Sequence, residues 1–284
     1  MPHYRFDSAA AALFTLARDV QEFGVQTAPR GQKTYEMRAA TIEISDPRDC
    51  LTAGIGRKLN TKLAALEALQ LIGGFSDPVL MASAAPLTAK YLDGGQFAGA
   101  YGPRIISQMD AVVQRLADDP DTRQAVVQIW DPSRDLFHQH KDLPCTVYFT
   151  FYVRDQQLQM HTHMRSNDLW LGFPYDIVQF TQLQCTLAKY LEIQVGAYTH
   201  YADSLHLYER DLPSVNQLTA PSFLATGSRM LLDGIDFRQE YSTWSESVAQ
   251  TARDITYLYE GNPVFDHPSP AEAWLIKQMR NIDR

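Results

Sequence analysis

Cysteine is scarce in this chain of 284 residues: there are three, Cys50, Cys145 and Cys185, set far apart. An odd number with no CxxC pair excludes a disulfide framework and a cysteine zinc site, and makes a reducing cytoplasm the natural location. Long hydrophobic runs are also missing. Ala9–Ala17 is too short to span a bilayer, and no positive lead precedes it because Arg5 is offset by Asp7. Asp7-Ser8 followed by Leu13, Phe14, Ala17 and Val20 reads instead as a capped amphipathic helix of a soluble protein. Basic charge is short too, with 25 Lys+Arg against 33 Asp+Glu and a net charge of −8. This excludes a protein that coats nucleic acid, since affinity for a polyphosphate comes from clustered Lys and Arg; no nucleic-acid polymer or membrane partner is expected. A local anion-binding pocket is still allowed. GxGxxG, GxxxxGK[ST] and HExxH are absent, so a dinucleotide fold, a P-loop and a zincin lose their usual support. The glycine-rich stretch 94–102 reads as a loop. His161 and His163 alternate along one strand, and His138 and His140 share that spacing, but no carboxylate or Cys completes a four-ligand set. No metal is expected.

What is present is an ordinary globular composition, 45% hydrophobic and 20% charged, in a chain long enough to bury a core without staples. No repeat or linker divides it. Helical periodicity runs over 8–23, 60–72, 105–117 and 175–191. Strand-like runs rich in β-branched and aromatic residues cover Thr41–Ile44, Ala125–Trp130, Thr146–Val153, Leu158–Met164 and Val195–Tyr201. The third and fourth are joined by Arg154-Asp155-Gln156-Gln157, which predicts a hairpin. Strands grouped in the middle with helices around them imply an α+β domain. Beyond about residue 230 the pattern loosens, and only a helix near 270–280 is predicted.

The segment 143–176 carries the chemistry. An isolated cysteine is usually buried filler, but Cys145 follows Pro144 at a strand start, and Arg165-Ser166-Asn167-Asp168 comes some 20 residues later. A guanidinium and a hydroxyl at a strand end form a ready phosphate clamp. A cation near the thiol also lowers its pKa. The bland alternatives are an ion pair of Arg165 with Asp168, and Asp176 as an acidic residue favoured at a helix start.

Leu143-Pro144-Cys145, Arg165-Ser166-Asn167-Asp168 through Gly172-Phe173-Pro174-Tyr175, and Asp203-Ser204-Leu205-His206-Leu207-Tyr208 resemble the thymidylate synthase family. Pro29-Arg30-Gly31, Glu67 in Leu66-Glu67-Ala68-Leu69, Ala100-Tyr101-Gly102-Pro103 and Pro120-Asp121-Thr122-Arg123 fit its shorter motifs, in family order from about 25 to 210. The resemblance implies one catalytic domain over 1–284 with a mixed sheet, surrounding helices and a homodimer formed through the sheet face. It implies that Cys145 adds to C6 of a pyrimidine and makes C5 nucleophilic toward the one-carbon unit of 5,10-methylenetetrahydrofolate. Glu67 and Tyr101 would complete the catalytic set with Asp176. Arg30, Arg165, Ser166 and the partner's Arg123 would hold a 5′-monophosphate. His206 and Tyr208 would hold the sugar, and Asp168 with Gly172 the folate. Glu67 shares a helix face with Leu63 and Leu71, where desolvation raises a carboxyl pKa and suits it to proton transfer.

Departures from the family refine the substrate. Asp176 stands where thymidylate synthases carry an asparagine that pairs with uracil. An ionised carboxylate only accepts hydrogen bonds, which favours the cytosine amino group and repels uracil O4; dCMP hydroxymethylases of the family show the same exchange. No tryptophan lies between Phe75 and Phe97, and the charged end Met279–Arg284 lacks a short apolar tail. Both point to a wetter site and a hydroxymethyl product. Gln124 replaces a second arginine of the phosphate clamp. The expected activity is conversion of dCMP to 5-hydroxymethyl-dCMP, as in phage DNA modification. The alternatives are a CMP hydroxymethylase, a dCMP or dUMP methyltransferase, and a non-catalytic nucleotide- or RNA-binding regulator.

Overall fold

Ser8 opens the first helix as its position implies: its Oγ accepts the Ala11 N–H at 3.2 Å, one of the donors that a helix start leaves unpaired. Helix α1 (Ala9–Phe23) then buries Leu13, Leu16, Ala17 and Val20. The computed structural model describes residues 2–52, 54–221 and 243–259. Its other helices are α2 (Thr61–Gly73), α3 (Pro78–Ala84), α4 (Gly102–Asp118), α5 (Pro132–Asp135), α6 (Phe173–Tyr190), α7 (Leu212–Val215) and α8 (Trp244–Tyr259). The strands are β1 (His3–Phe6), β2 (Val25–Thr27), β3 (Thr34–Ile44), β4 (Val126–Gln128), β5 (Thr146–Arg154), β6 (Gln157–Met164), β7 (Asn167–Asp168) and β8 (Gln194–Tyr208).

All eight join one sheet of order β1-β3-β8-β6-β5-β4, with β2 beside β3 and β7 beside β8. The β1–β3, β6–β8 and β7–β8 pairs are parallel and the rest antiparallel. The sheet is therefore mixed and the fold α+β. Period-two alternation turns Ala40, Ile42, Ile44, Phe149, Phe151, Leu158, Met160, Tyr198 and Ala202 into the core, where α1 packs on β3 and α6 on β6 and β8. Each large apolar side chain so buried contributes about 1.5–3 kcal/mol. Helix α6 is buried nearly all round; Gln184 Nε2 donates to the carbonyls of Leu158, Gly196 and Ala197 at 2.9–3.1 Å, while its Oε1 is buried without a partner. The opposite sheet face stays half-exposed, with Tyr148, Tyr152, His161, His163 and Tyr201 side by side.

The β5–β6 hairpin forms where expected. Asp155 and Gln156 take φ of 52° and 61°, the left-handed pair that matches the twist of the flanking strands. Strands β3 and β8 are longer than their apolar runs, because polar Glu36, Arg38, Ser204 and His206 continue the ladder toward the site. β4 is shorter than Ala125–Trp130. Helices α3 and α5 were not anticipated, yet each starts with Asp-Pro: Asp77 Oδ1 accepts the N–H of Val79 and Leu80, and Asp131 Oδ1 that of Ser133. Helix α8 also breaks the expectation of a loose region after 230. Thr243 precedes it and Glu246 lies in its first turn, with Thr243 Oγ1 accepting the Glu246 N–H at 3.3 Å, and Trp244 is fully buried against Tyr190. The helix expected near 270–280 lies outside the described residues. No described helix is long and apolar enough to cross a membrane.

Candidate active site

Cys145 sits immediately before β5, and its carbonyl accepts the Arg165 N–H at 2.9 Å. Arg165 lies just past the end of β6. Its Nε donates to Pro144 O at 2.9 Å and its Nη2 to Leu143 O at 3.4 Å, with Nη2 4.0 Å from Cys145 Sγ. The guanidinium also lies over the Trp130 ring at 5.3 Å. Arg165 thus fixes the cysteine loop, and no ion pair with Asp168 forms. Asp168 instead uses Oδ1 to accept the N–H groups of Trp170 and Leu171, turning the chain toward α6.

The expectation of a lowered thiol pKa is overturned. Burial pushes the Cys145 thiol up to about 11; Arg165 pulls it down, but Asp176, Asp142 and Asp168 add to the rise. One cation does not offset desolvation and three carboxylates.

Glu67 projects from the middle of α2, a helix capped by Asn60 Oδ1 on the Leu63 N–H at 3.0 Å. Burial, then the Asp176 charge, pushes its carboxyl up to about 8, as its apolar neighbours imply, and its Oε2 has no hydrogen-bond partner. Asp176, in the first turn of α6, accepts from Asn167 Nδ2 at 2.7 Å and from Gln179 Nε2 at 3.2 Å. These donors favour the ionised form, but burial prevails and pushes the pKa up to about 7. Asn167 is oriented in turn by His200 (Nε2 to Oδ1, 3.0 Å), itself bonded to Tyr198. Burial drives His200 down to about 3, so it stays neutral. Tyr101 precedes α4 with its phenol raised well above 10 by burial. Gly102 beside it is required by close approach: a Cβ there would lie 2.2 Å from Gln70 O.

Glu67, Tyr101, Cys145 and Asp176 line one cavity of about 300 Å³, with Gln70, Phe75, Ser76, Tyr91, Phe97, Asp142 and Gln179. A larger groove, about 1150 Å³, opens on the half-exposed sheet face away from this chemistry. Asp168 pairs with His206 across β7–β8, and the rings of His206 and Tyr208 meet edge to face at 5.2 Å. Gly172 caps α6, where a Cβ would come within 3.0–3.2 Å of Asp168 O, Asn167 Nδ2 and Asp176 Oδ2. Ser166 is half-buried next to Arg165. Arg30 and Arg123 are exposed and do not line the cavity within one chain; Gln124 accepts from Arg115. Among the described residues no group of three His, Cys, Asp or Glu is placed to hold a metal ion.

Several site residues escaped the sequence reading. Asn167 and Gln179 are neutral amides whose role exists only through Asp176. Asp142 carries no motif. Arg57 falls in an aperiodic stretch: its Nη2 donates to Trp170 O at 2.6 Å and its guanidinium lies over the Trp170 ring at 4.7 Å. Its Nε and Nη1 are buried without partners.

Sheet, helices and cavity define a thymidylate synthase-like protein, and the comparison with known families agrees: the family model described as thymidylate synthase matches residues 88–229. The chain belongs to this family. It is 32% identical over 202 residues to the deoxyuridylate hydroxymethyltransferase of Bacillus phage SP01, covering 65% of this chain and 53% of that protein. It is also 32% identical over 170 residues to the deoxyuridylate hydroxymethyltransferase of Pseudomonas phage M6, covering 57% and 48%. The chain thus spans about half the length of the curated relatives it matches.

Proposed function

We propose that the protein is a folate-dependent C5 hydroxymethyltransferase of a pyrimidine deoxynucleoside 5′-monophosphate, with dCMP as its substrate. The observation that carries this reading is the meeting of Cys145, Glu67, Tyr101 and Asp176 in one cavity. Cys145 Sγ adds to C6 and lends electron density to C5. Glu67, near pKa 8, is poised both to accept and to return a proton close to neutral pH. The names of the two phage relatives support a hydroxymethyl product.

Methylenetetrahydrofolate supplies the one-carbon unit when bound, and the cavity suits such a partner. Phe75, Met81, Tyr91 and Phe97 offer apolar contact, while Gln70 Nε2 and Ser76 Oγ are buried donors without partners. Unpaired buried donors cost about 1–3 kcal/mol each, which a polar heterocycle relieves. Asp168 and Gly172 would border the folate, and Arg30, Arg165 and Ser166 the phosphate. The partner's Arg123 would complete that clamp in a homodimer formed through the half-exposed sheet face, with His206 and Tyr208 at the sugar.

Asp176 supports cytosine: ionised, it accepts from N4, and protonated it also donates to N3. A second reading, dUMP, draws on the relatives' names and on the raised pKa of Asp176, because a neutral carboxyl can donate to uracil O4 and accept from N3–H. Incubation with methylenetetrahydrofolate and dCMP, CMP or dUMP, followed by mass spectrometry, tests both. The 5-hydroxymethyl derivative of dCMP is the expected main product. Turnover of dUMP alone refutes the cytosine reading, and a methylated product refutes hydroxymethylation.

A further inference from the structure

The cavity holds one acidic group that the chemistry above leaves without a task. Asp142, three residues before Cys145, lines it together with Cys145, Glu67 and Tyr101. Its Oδ2 accepts the Gly99 N–H at 3.1 Å. The contact is close enough that a Cβ on Gly99 would lie 2.9 Å from Oδ2. Its other oxygen has no hydrogen-bond partner among the described residues. Burial raises the carboxyl, while the Gly99 N–H, Arg104 and His140 pull it down and Asp93 pushes it up.

The other two carboxyls are committed. Asp176 accepts from Asn167 and Gln179 through both oxygens, and Glu67 handles the C5 proton. Hydroxymethylation needs one more step, addition of water to the carbon attached at C5, and water is a poor nucleophile until a base takes its proton. Solvent reaches the cavity wall: Tyr91, which lines the cavity together with Asp142, is 44% exposed.

Resting on the proposed hydroxymethylation, we propose that Asp142 is the general base for this water, a catalytic residue distinct from Glu67. One water O–H bond breaks and its proton passes to the Asp142 carboxylate. The oxygen lone pair forms a C–O bond to the exocyclic methylene on C5. The methylene π pair shifts to re-form the C5–C6 double bond, and the C6–S bond breaks with its pair leaving on the Cys145 thiolate. Asp142 then returns its proton to solvent.

Asp142→Asn separates this role from a structural one, because Asn still accepts the Gly99 N–H but takes no proton. In the full-length enzyme two quantities are measured together: folate-dependent release of the C5 hydrogen, and hydroxymethyl nucleotide formed. The ratio of product to hydrogen released falls at least tenfold in the variant, and an added small thiol, which is partly thiolate without a base, captures the methylene as a thioether. Parallel loss of both quantities, or an unchanged ratio, overturns the assignment and leaves Asp142 as a fastener of the 97–101 turn. A wild-type enzyme that makes no hydroxymethyl nucleotide overturns the proposed function as well, so the two failures are distinguishable.

Discussion

Asp176→Asn has two consequences that are read independently. In the wild type the carboxyl moves from 3.8 to about 7 on folding. A raised carboxylate pKa means that the folded state binds the proton more tightly than the unfolded state. The resulting penalty is absent below pH 3.8, grows as pH rises, and is complete above about pH 7. The shift corresponds to roughly 4 kcal/mol at 1.36 kcal/mol per pKa unit. Asparagine carries no such penalty. It does place an amide N–H against the donors of Asn167 or Gln179, at a cost of about 1–3 kcal/mol. The net expectation is a gain of about 1–3 kcal/mol at pH 8.5, a rise of a few degrees in Tm, that vanishes toward pH 4.5. The charge that helps to raise Glu67 also disappears, so its pKa falls. On the substrate side, if Asp176 reads the base as proposed, exchanging one of its acceptor oxygens for an amide donor moves the dCMP to dUMP preference roughly tenfold to a hundredfold toward uracil. Thermal melts across this pH range, with competition between the two nucleotides, measure both. A variant less stable than wild type at pH 8.5 refutes the electrostatic reasoning, and an unchanged nucleotide ratio refutes Asp176 as the group that reads the base.

Glu67→Gln lowers turnover about 10²–10⁴-fold and removes the pH-rate limb near 8; a limb that persists assigns it to another group. Alkylation of Cys145 by iodoacetamide accelerates with pH up to about 11, following its raised thiol; full reactivity at pH 7 contradicts the desolvation argument. Arg104 and Asp135 form a buried bidentate pair at 2.7–2.8 Å, and Arg104 also ties down the carbonyls of Ile129 and Ala98. Arg104→Leu strands the Asp135 charge and destabilises the fold by about 3–5 kcal/mol, measured by urea unfolding; a loss under 1 kcal/mol refutes that accounting.

The helices with an apolar stripe and the strands with clean alternation were legible in the residues, because burial on one face imposes those periods. Where an element is held by pairing rather than burial, the pattern fades: Glu36, Arg38, Ser204 and His206 extend β3 and β8 without any apolar signal. Helices α3 and α5 are short, so their Asp-Pro starts were the only cue. In the site, Cys145, Glu67, Tyr101 and Asp176 stood out through the motifs that resemble the family, and one cavity brings them together. Asn167 and Gln179 had no role assigned because each acts through Asp176, and Asp142 belongs to no motif, so only folding shows that it lines the cavity. The direction of the Cys145 pKa was also beyond reach, because Arg165 is visible in the sequence while the depth of burial is not.

Release of the C5 hydrogen tests the central claim most directly, since it requires addition of the Cys145 thiolate and activation of C5. With C5-tritiated dCMP and methylenetetrahydrofolate, the wild type is expected to release tritium to water. Cys145→Ser is expected to release none while still binding the nucleotide. Release by the serine variant at the wild-type rate, or none by either protein with any of the three nucleotides, contradicts the account.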